Sequence, residues 1–320
     1  MRHIYGIMYI HMKYVWISDV FQNACRIGGR TELSMSESTA IIEKIMAVLE
    51  TRMDIPKPFG WFHLLFWALT IAGTVILIWR FRNASDKTVR RILLGIWIVM
   101  VILEIYKQIE GAHDVVWGVP VWSYLWRWFP LQFCSTPLYC LPFIIFLPDC
   151  WWRRAFSAFF AGFSLFAGLA VMLYPIDVFT SLVGINIQTM IHHGSMVALG
   201  IFMVTYNRHH MNKRYFVGSL AVFYSFAGLA IVLNEVIHAM IVEKQLVDQN
   251  INLFFISRHY PCTLPVLADI YAKVPYPVFL CIYLVGFAAV SALIYGLEKG
   301  ILALIYRKKR NTLLGDQNAQ

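Results

Sequence analysis

The sequence predicts an all-α fold, a polytopic membrane bundle of about seven transmembrane helices. Three observations predict it. Hydrophobic residues fill 59% of the 320 positions and charged residues only 14%, whereas soluble domains average about 45–50% and about 25%. The apolar excess falls into stretches of roughly 20 residues, the length that crosses a hydrocarbon core at about 1.5 Å per residue. No stretch alternates apolar and polar residues as a membrane barrel strand does, so helices must satisfy the backbone in lipid.

The first span covers 59–79 and is interrupted only by His63. The second, 92–109, is apolar until Glu104, Lys107 and Gln108 near its end. The third, 122–147, carries Pro130, Pro137 and Pro142. Pro137 and Pro142 lack an N–H, so the carbonyls of Phe133 and Leu138 lose their helical donors and the helix is expected to break there. Such carbonyls survive in lipid only beside protein groups or a wet cavity. The fourth span, 151–173, and the sixth, 215–242, share Phe-Ala-Gly-Leu-Ala at 166–170 and 226–230, small residues that let helices approach closely. The fifth, 183–206, opens with Asn186, Gln188, His192 and His193, and the seventh, 276–306, is almost purely apolar. Between the last two, 243–275 begins polar and then holds Pro261, Pro265 and Pro275, as a structured external loop or a re-entrant piece would.

Three regions follow: an N-terminal extension over 1–58, the transmembrane domain over 59–306, and a basic tail over 307–320. Lys and Arg concentrate in the connections after spans one, three and five and in the tail, which by the positive-inside rule puts the C-terminus in the cytoplasm. The net charge of +9 then reflects cytoplasmic loops facing anionic lipid, with no need for nucleic acid. The extension fits less well, because its seven Lys and Arg residues would lie outside; a start at Met35, or an interfacial amphipathic helix over Ser36–Met53, would account for it. The six cysteines form no C-x-x-C pair and no zinc-ligand spacing.

Intramembrane polar residues are costly and mark sites by default. Glu104, Gln132, Cys134, Gln188, His192, His193, Asn234 and His238 come from four spans, yet all fall in the leaflet away from the cytoplasm. Glu104 and Gln108 are four residues apart, as are Asn234 and His238, so each pair shares a helix face. The bland reading is interhelical glue. The sharper one starts from Cys134, which lies beside the expected break. A thiol acts as a nucleophile when a neighbouring imidazole takes its proton, and His192 and His193 lie at comparable depth. Adjacent residues differ by about 100° around a helix, so only one of them can point squarely at Cys134; the space beside Gly194 favours His193.

Several segments resemble the YwaF-like bacterial integral membrane proteins. They are Pro130-Leu131-Gln132-Phe133-Cys134-Ser135, Met190-Ile191-His192-His193-Gly194, Asn252-Leu253-Phe254-Phe255, the start of span one at Phe59-Gly60-Trp61-Phe62-His63-Leu64, and Glu104 to Lys107. The likeness extends over about 55–306. That family is grouped with eukaryotic transmembrane acyltransferases that remodel ether phospholipids, and more remotely with androgen-regulated transmembrane hydrolases of branched fatty esters, which use a Thr nucleophile. The resemblance implies a plasma-membrane protein of a bacterium with a Cys–His pair that maps to Cys134 and His193, with the adjacent His192 as the alternative base.

The expected function is a lipid acyltransferase or lipid hydrolase acting on a phospholipid or fatty-acyl substrate without a cofactor. Gln132, Gln188, Asn234, His238, His63, Glu104 and Asn252 are expected to bind substrate or support the pair, with Gln132, Asn234 or backbone N–H groups near the Pro137 break as oxyanion donors. A small-molecule transporter or a non-catalytic membrane protein using the same polar pocket is the alternative. A metal enzyme fits poorly, because no H-x-x-x-H or H-E-x-x-H occurs.

Overall fold

The computed structural model describes residues 43–116, 119–246 and 249–318. The chain divides into two units, Met1–Thr51 and Arg52–Gln320. In the first, 43–49 is helical; the beginning of the expected Ser36–Met53 helix, and the extension before it, lie outside the described residues.

The second unit contains α1 (Trp61–Phe81), α2 (Asp86–Glu110), a hairpin of β1 (His113–Val116) and β2 (Val119–Trp122), 3-10 turns at Trp126–Trp128 and Phe133–Ser135, and α3 (Thr136–Phe146). Then come α4 (Trp151–Phe159), a π turn (Phe160–Ser164), α5 (Leu165–Leu173), α6 (Val183–Tyr206) and α7 (Lys213–Glu243). A 3-10 turn at Leu253–Phe255, α8 (Leu267–Tyr271) and α9 (Tyr276–Asn318) complete it. The segment Trp151–Leu173 runs on through the π turn as one span, and the described residues hold 6 helices long and apolar enough to cross a membrane.

The seventh passage is the correction. The expected span over 122–147 is helical only from Thr136, and its apolar part, Phe133–Phe146, is shorter than the other six. Proline explains both ends of the difference. Pro137 sits in the first turn of α3, where a missing N–H costs nothing, so it starts the helix rather than breaking it. The Phe133 carbonyl is not stranded, because it accepts from Thr136 Oγ1 at 2.7 Å. Pro142 does lie inside α3. The carbonyl it frees, that of Leu138, accepts instead from Trp97 Nε1 of α2 at 2.9 Å.

The centre of the bundle is α6, 72% of whose apolar window is buried, whereas the figure for α2 and α9 is 17%. Outward residues such as Leu65, Leu69, Ile76 and Trp79 of α1, or Val285, Leu293 and Leu297 of α9, are exposed. An apolar outside suits lipid, where sequestration from water comes from the bilayer. Close helix contacts depend on glycine. A Cβ on Gly168 would stand 2.9 Å from the His193 carbonyl of α6, whereas one on Gly228 would meet nothing within 4 Å. The repeated Phe-Ala-Gly-Leu-Ala is therefore a packing motif in α5 but not in α7.

The connections after α1, α3 and α6 gather at one end. Arg208 donates to Arg82 O at 3.1 Å and to Asn83 Oδ1 at 2.8 Å, and Arg153 pairs with Asp86. At the opposite end the chain after α7 turns back into the bundle: Ile251, Leu253, Phe254 and Ile256 are fully buried. Of the two readings offered for 243–275, the re-entrant one describes its middle.

Candidate functional site

The polar residues expected at a single level divide into separate groups. The first joins α2 to α6. Glu104 Oε1 accepts from Lys107 Nζ at 3.0 Å and from Gln108 Nε2 at 2.7 Å, and its Oε2 accepts from Gln188 Nε2 of α6 at 3.4 Å. The first two contacts follow from helical spacing, since residues three and four apart are neighbours. Gln108 also donates to Trp128 O and accepts from Tyr124 OH at 2.7 Å, which fixes the segment leading to the Cys134 turn.

Cys134 is half-buried on the 3-10 turn that opens α3. Ser135 follows it on the same turn. The Ser135 hydroxyl is fully buried and has no hydrogen-bond partner among the described residues.

The two histidines part company. His192 Nε2 lies 3.1 Å from Met100 O of α2. A carbonyl only accepts, so Nε2 carries the hydrogen and the neutral ring keeps its lone pair on Nδ1. His193 Nδ1 lies 2.7 Å from Thr189 O of its own helix, so its lone pair is on Nε2. His193 shares a stripe with Met190 and Val197, which pack with Phe62 and Phe66 of α1 and Leu165 and Met172 of α5. The space expected beside Gly194 is filled: a Cβ there would meet Thr70 Oγ1 at 2.4 Å.

The second group clamps the re-entrant loop. Gln132 Nε2 donates to Asn252 O at 3.0 Å, and its Oε1 accepts from Phe254 N at 3.0 Å. Asn234 bonds both backbone groups of Leu253, accepting from N at 2.8 Å and donating to O at 3.1 Å. Tyr283 OH donates to Phe254 O at 2.7 Å. Asn252 in turn holds Ser257 N and the carbonyls of Tyr260 and Pro261. Phe254 and Phe255 have φ of 56° and 59°, a left-handed conformation that a bulky side chain enters at a cost of about 1–3 kcal/mol each. The amides that were expected to receive an oxyanion are spent holding this backbone.

His63 is likewise committed. Its Nδ1 accepts from Phe59 N at 2.8 Å, and its Nε2 donates to Met172 O at 2.9 Å. It ties α1 to the end of α5. His238 does not bond Asn234. It stacks on His259 at 3.7 Å and approaches Tyr260 OH, while Glu235 pairs with Arg258 and His259. Among the described residues no group of three or more His, Cys, Asp or Glu side chains is placed to hold a metal ion.

One set was missed altogether. Ser164 of the π turn and Ser291, Tyr295 and Glu298 of α9 carry buried oxygens without hydrogen-bond partners among the described residues. Ser291, Tyr295 and Glu298 follow at i, i+4 and i+7, one face of α9, in the half of the bundle opposite Cys134. That spacing was the available signal, obscured by the apolar residues between.

The family model described as the TMEM164 family matches residues 58–295, more than half of the chain. No curated protein and no solved structure matches. The chain belongs to the TMEM164 family, and it is a multi-pass membrane protein.

Proposed function

For this member of the TMEM164 family we propose a membrane-embedded lipid acyltransferase or lipid ester hydrolase with Cys134 as nucleophile and His192 as base. The observation that carries the reading is the packing of α6, which bears His192, against the Phe133–Ser135 turn that holds Cys134. The likeness to YwaF-like proteins and to ether-phospholipid acyltransferases supports it by analogy, and favours a bacterial plasma membrane, with the basic end and C-terminus cytoplasmic. His193, which the resemblance paired with Cys134, becomes a supporting residue.

The chemistry divides one acyl transfer into two steps. The imidazole takes the thiol proton, the sulfur attacks the ester carbonyl, and a tetrahedral oxyanion forms. The Ser135 hydroxyl and the N–H groups at the start of α3 are the nearest donors for that oxygen, since the N-terminal end of a helix favours negative charge. Collapse breaks the C–O bond, the imidazolium protonates the departing alkoxide, and a thioester remains on Cys134. The hydroxyl of a lysolipid, or water, then attacks the thioester; the imidazole takes that proton and returns it to sulfur. Glu104 holds Lys107 of its own helix and Gln188, one turn before His192 on α6.

Turnover of fluorescent lysophospholipid and phospholipid pairs by purified protein tests the proposal. Wild type forms acyl-exchanged product, and Cys134→Ala forms none. Full turnover by Cys134→Ala would end it. The Ser291–Tyr295–Glu298 face favours a second reading as a transporter, since it adds polar groups to the half that a through-membrane route requires. Solute flux in proteoliposomes that Glu298→Gln abolishes would replace the first reading with the second.

A further inference from the structure

A feature independent of the Cys134 chemistry lies at the basic end, where the connection before α4 faces that before α7. A cavity of about 270 Å³ is lined there by Asp149, Cys150, Trp151, Arg154, His210 and Arg214, among others. A second, of about 370 Å³, shares Asp149, Arg154 and His210 with it.

The acids of both cavities are already matched. Asp149 accepts two bonds from Arg154, at 2.9 and 2.6 Å, and Asp86 pairs with Arg90 and Arg153. Arg214 has no carboxylate partner among the described residues, so the cavity carries surplus positive charge. Its floor adds donors. Cys150 provides no side-chain cap to α4, which leaves the first-turn N–H groups open, whereas Asn212 caps α7. An uncapped helix end beside guanidinium groups suits a tetrahedral oxyanion such as phosphate.

The surroundings say where the phosphate comes from. Trp151 lines the cavity, and its neighbour Trp152, 4.6 Å away ring to ring, lines an apolar groove of about 350 Å³. That groove continues along Phe143, Phe156, Phe226 and Leu229 between α3, α4 and α7. Paired tryptophans mark the depth of lipid headgroups, and the groove offers a chain the room that free phosphate has no use for. We propose that this end holds one anionic phospholipid, its phosphate in the Arg154–Arg214 cavity and an acyl chain along the Trp152–Leu229 groove.

Native mass spectrometry of the full chain, loaded with phosphatidylglycerol or phosphatidylcholine, tests it. Wild type retains one phosphatidylglycerol in preference to phosphatidylcholine. Arg214→Ala weakens retention about five-fold, the effect of one basic residue on an anionic lipid. Leu229→Trp, which fills the groove, weakens it too, and Arg91→Ala, an exposed arginine away from both cavities, leaves it unchanged. Equal losses in Arg91→Ala and Arg214→Ala, or equal retention of both lipids, would overturn the proposal. Displacement by inorganic phosphate with no effect of Leu229→Trp would overturn the lipid assignment and leave a soluble phosphate site.

Discussion

Two polar regions lie at the same end of this bundle, and they use their hydrogen-bonding capacity differently. In the clamp around Leu253–Phe255, both polar atoms of the Gln132 and Asn234 side chains meet backbone groups of the loop. Around Cys134, the His192 ring commits one nitrogen to α2, and the Ser135 hydroxyl has no hydrogen-bond partner among the described residues. Depth in the membrane does not distinguish a site from a scaffold. Unspent donors and acceptors do, because a saturated buried group gains nothing from a substrate.

The comparison can be broken most sharply at Cys134. Cys134→Ala lowers acyl transfer about 10,000-fold, as removal of a nucleophile does, with thermal unfolding unchanged; activity that persists would move Cys134 into the scaffold. His192→Gln costs about 100-fold or more in turnover, and His193→Gln costs clearly less; the reverse order in steady-state rates would return the base to His193. On the clamp side, Asn234→Ala leaves Leu253 N unpaired at about 1–3 kcal/mol, while its carbonyl keeps the Ile256 N–H alone. Unfolding of the detergent-solubilised protein then shifts down by about 2 kcal/mol, while each folded molecule keeps its activity. Tyr283→Phe removes one bond to Phe254 and shifts the same measurement by about 1 kcal/mol.

The smallest effect lies outside both regions. Hydrogen bonds from Arg154 hold the exposed Asp149 carboxyl below its ordinary value. Its contribution is complete above the unfolded carboxylate value and is lost as pH falls through the folded one. The pair is solvent-screened, so Asp149→Asn changes stability by no more than about 0.5 kcal/mol at neutral pH.

The long spans were legible because length and unbroken apolarity are local properties. The Glu104–Lys107–Gln108 contacts were legible too, since three- and four-residue spacings fix them. What the sequence hid was non-local. Pro137 reads alike as a break or as a first-turn residue until the start of α3 is known. Trp97 as the donor to the carbonyl freed by Pro142 joins residues 41 positions apart. Gln132 and Asn234 look like free polar groups until the re-entrant loop is seen to occupy them. Gly194 suggested room for a ring, and Thr70 of another helix uses it.

The left-handed Phe254 and Phe255 carry a consequence for biogenesis. Gln132 precedes its loop partner by 122 residues, Asn234 precedes its own by 19, and Tyr283 follows by 29. A ribosome therefore delivers both amide anchors before the segment they grip, and the hydroxyl that closes it afterwards. The loop is a keystone set between helices already in place and one still to arrive, and a chain stalled before α9 would emerge with the arch unlocked.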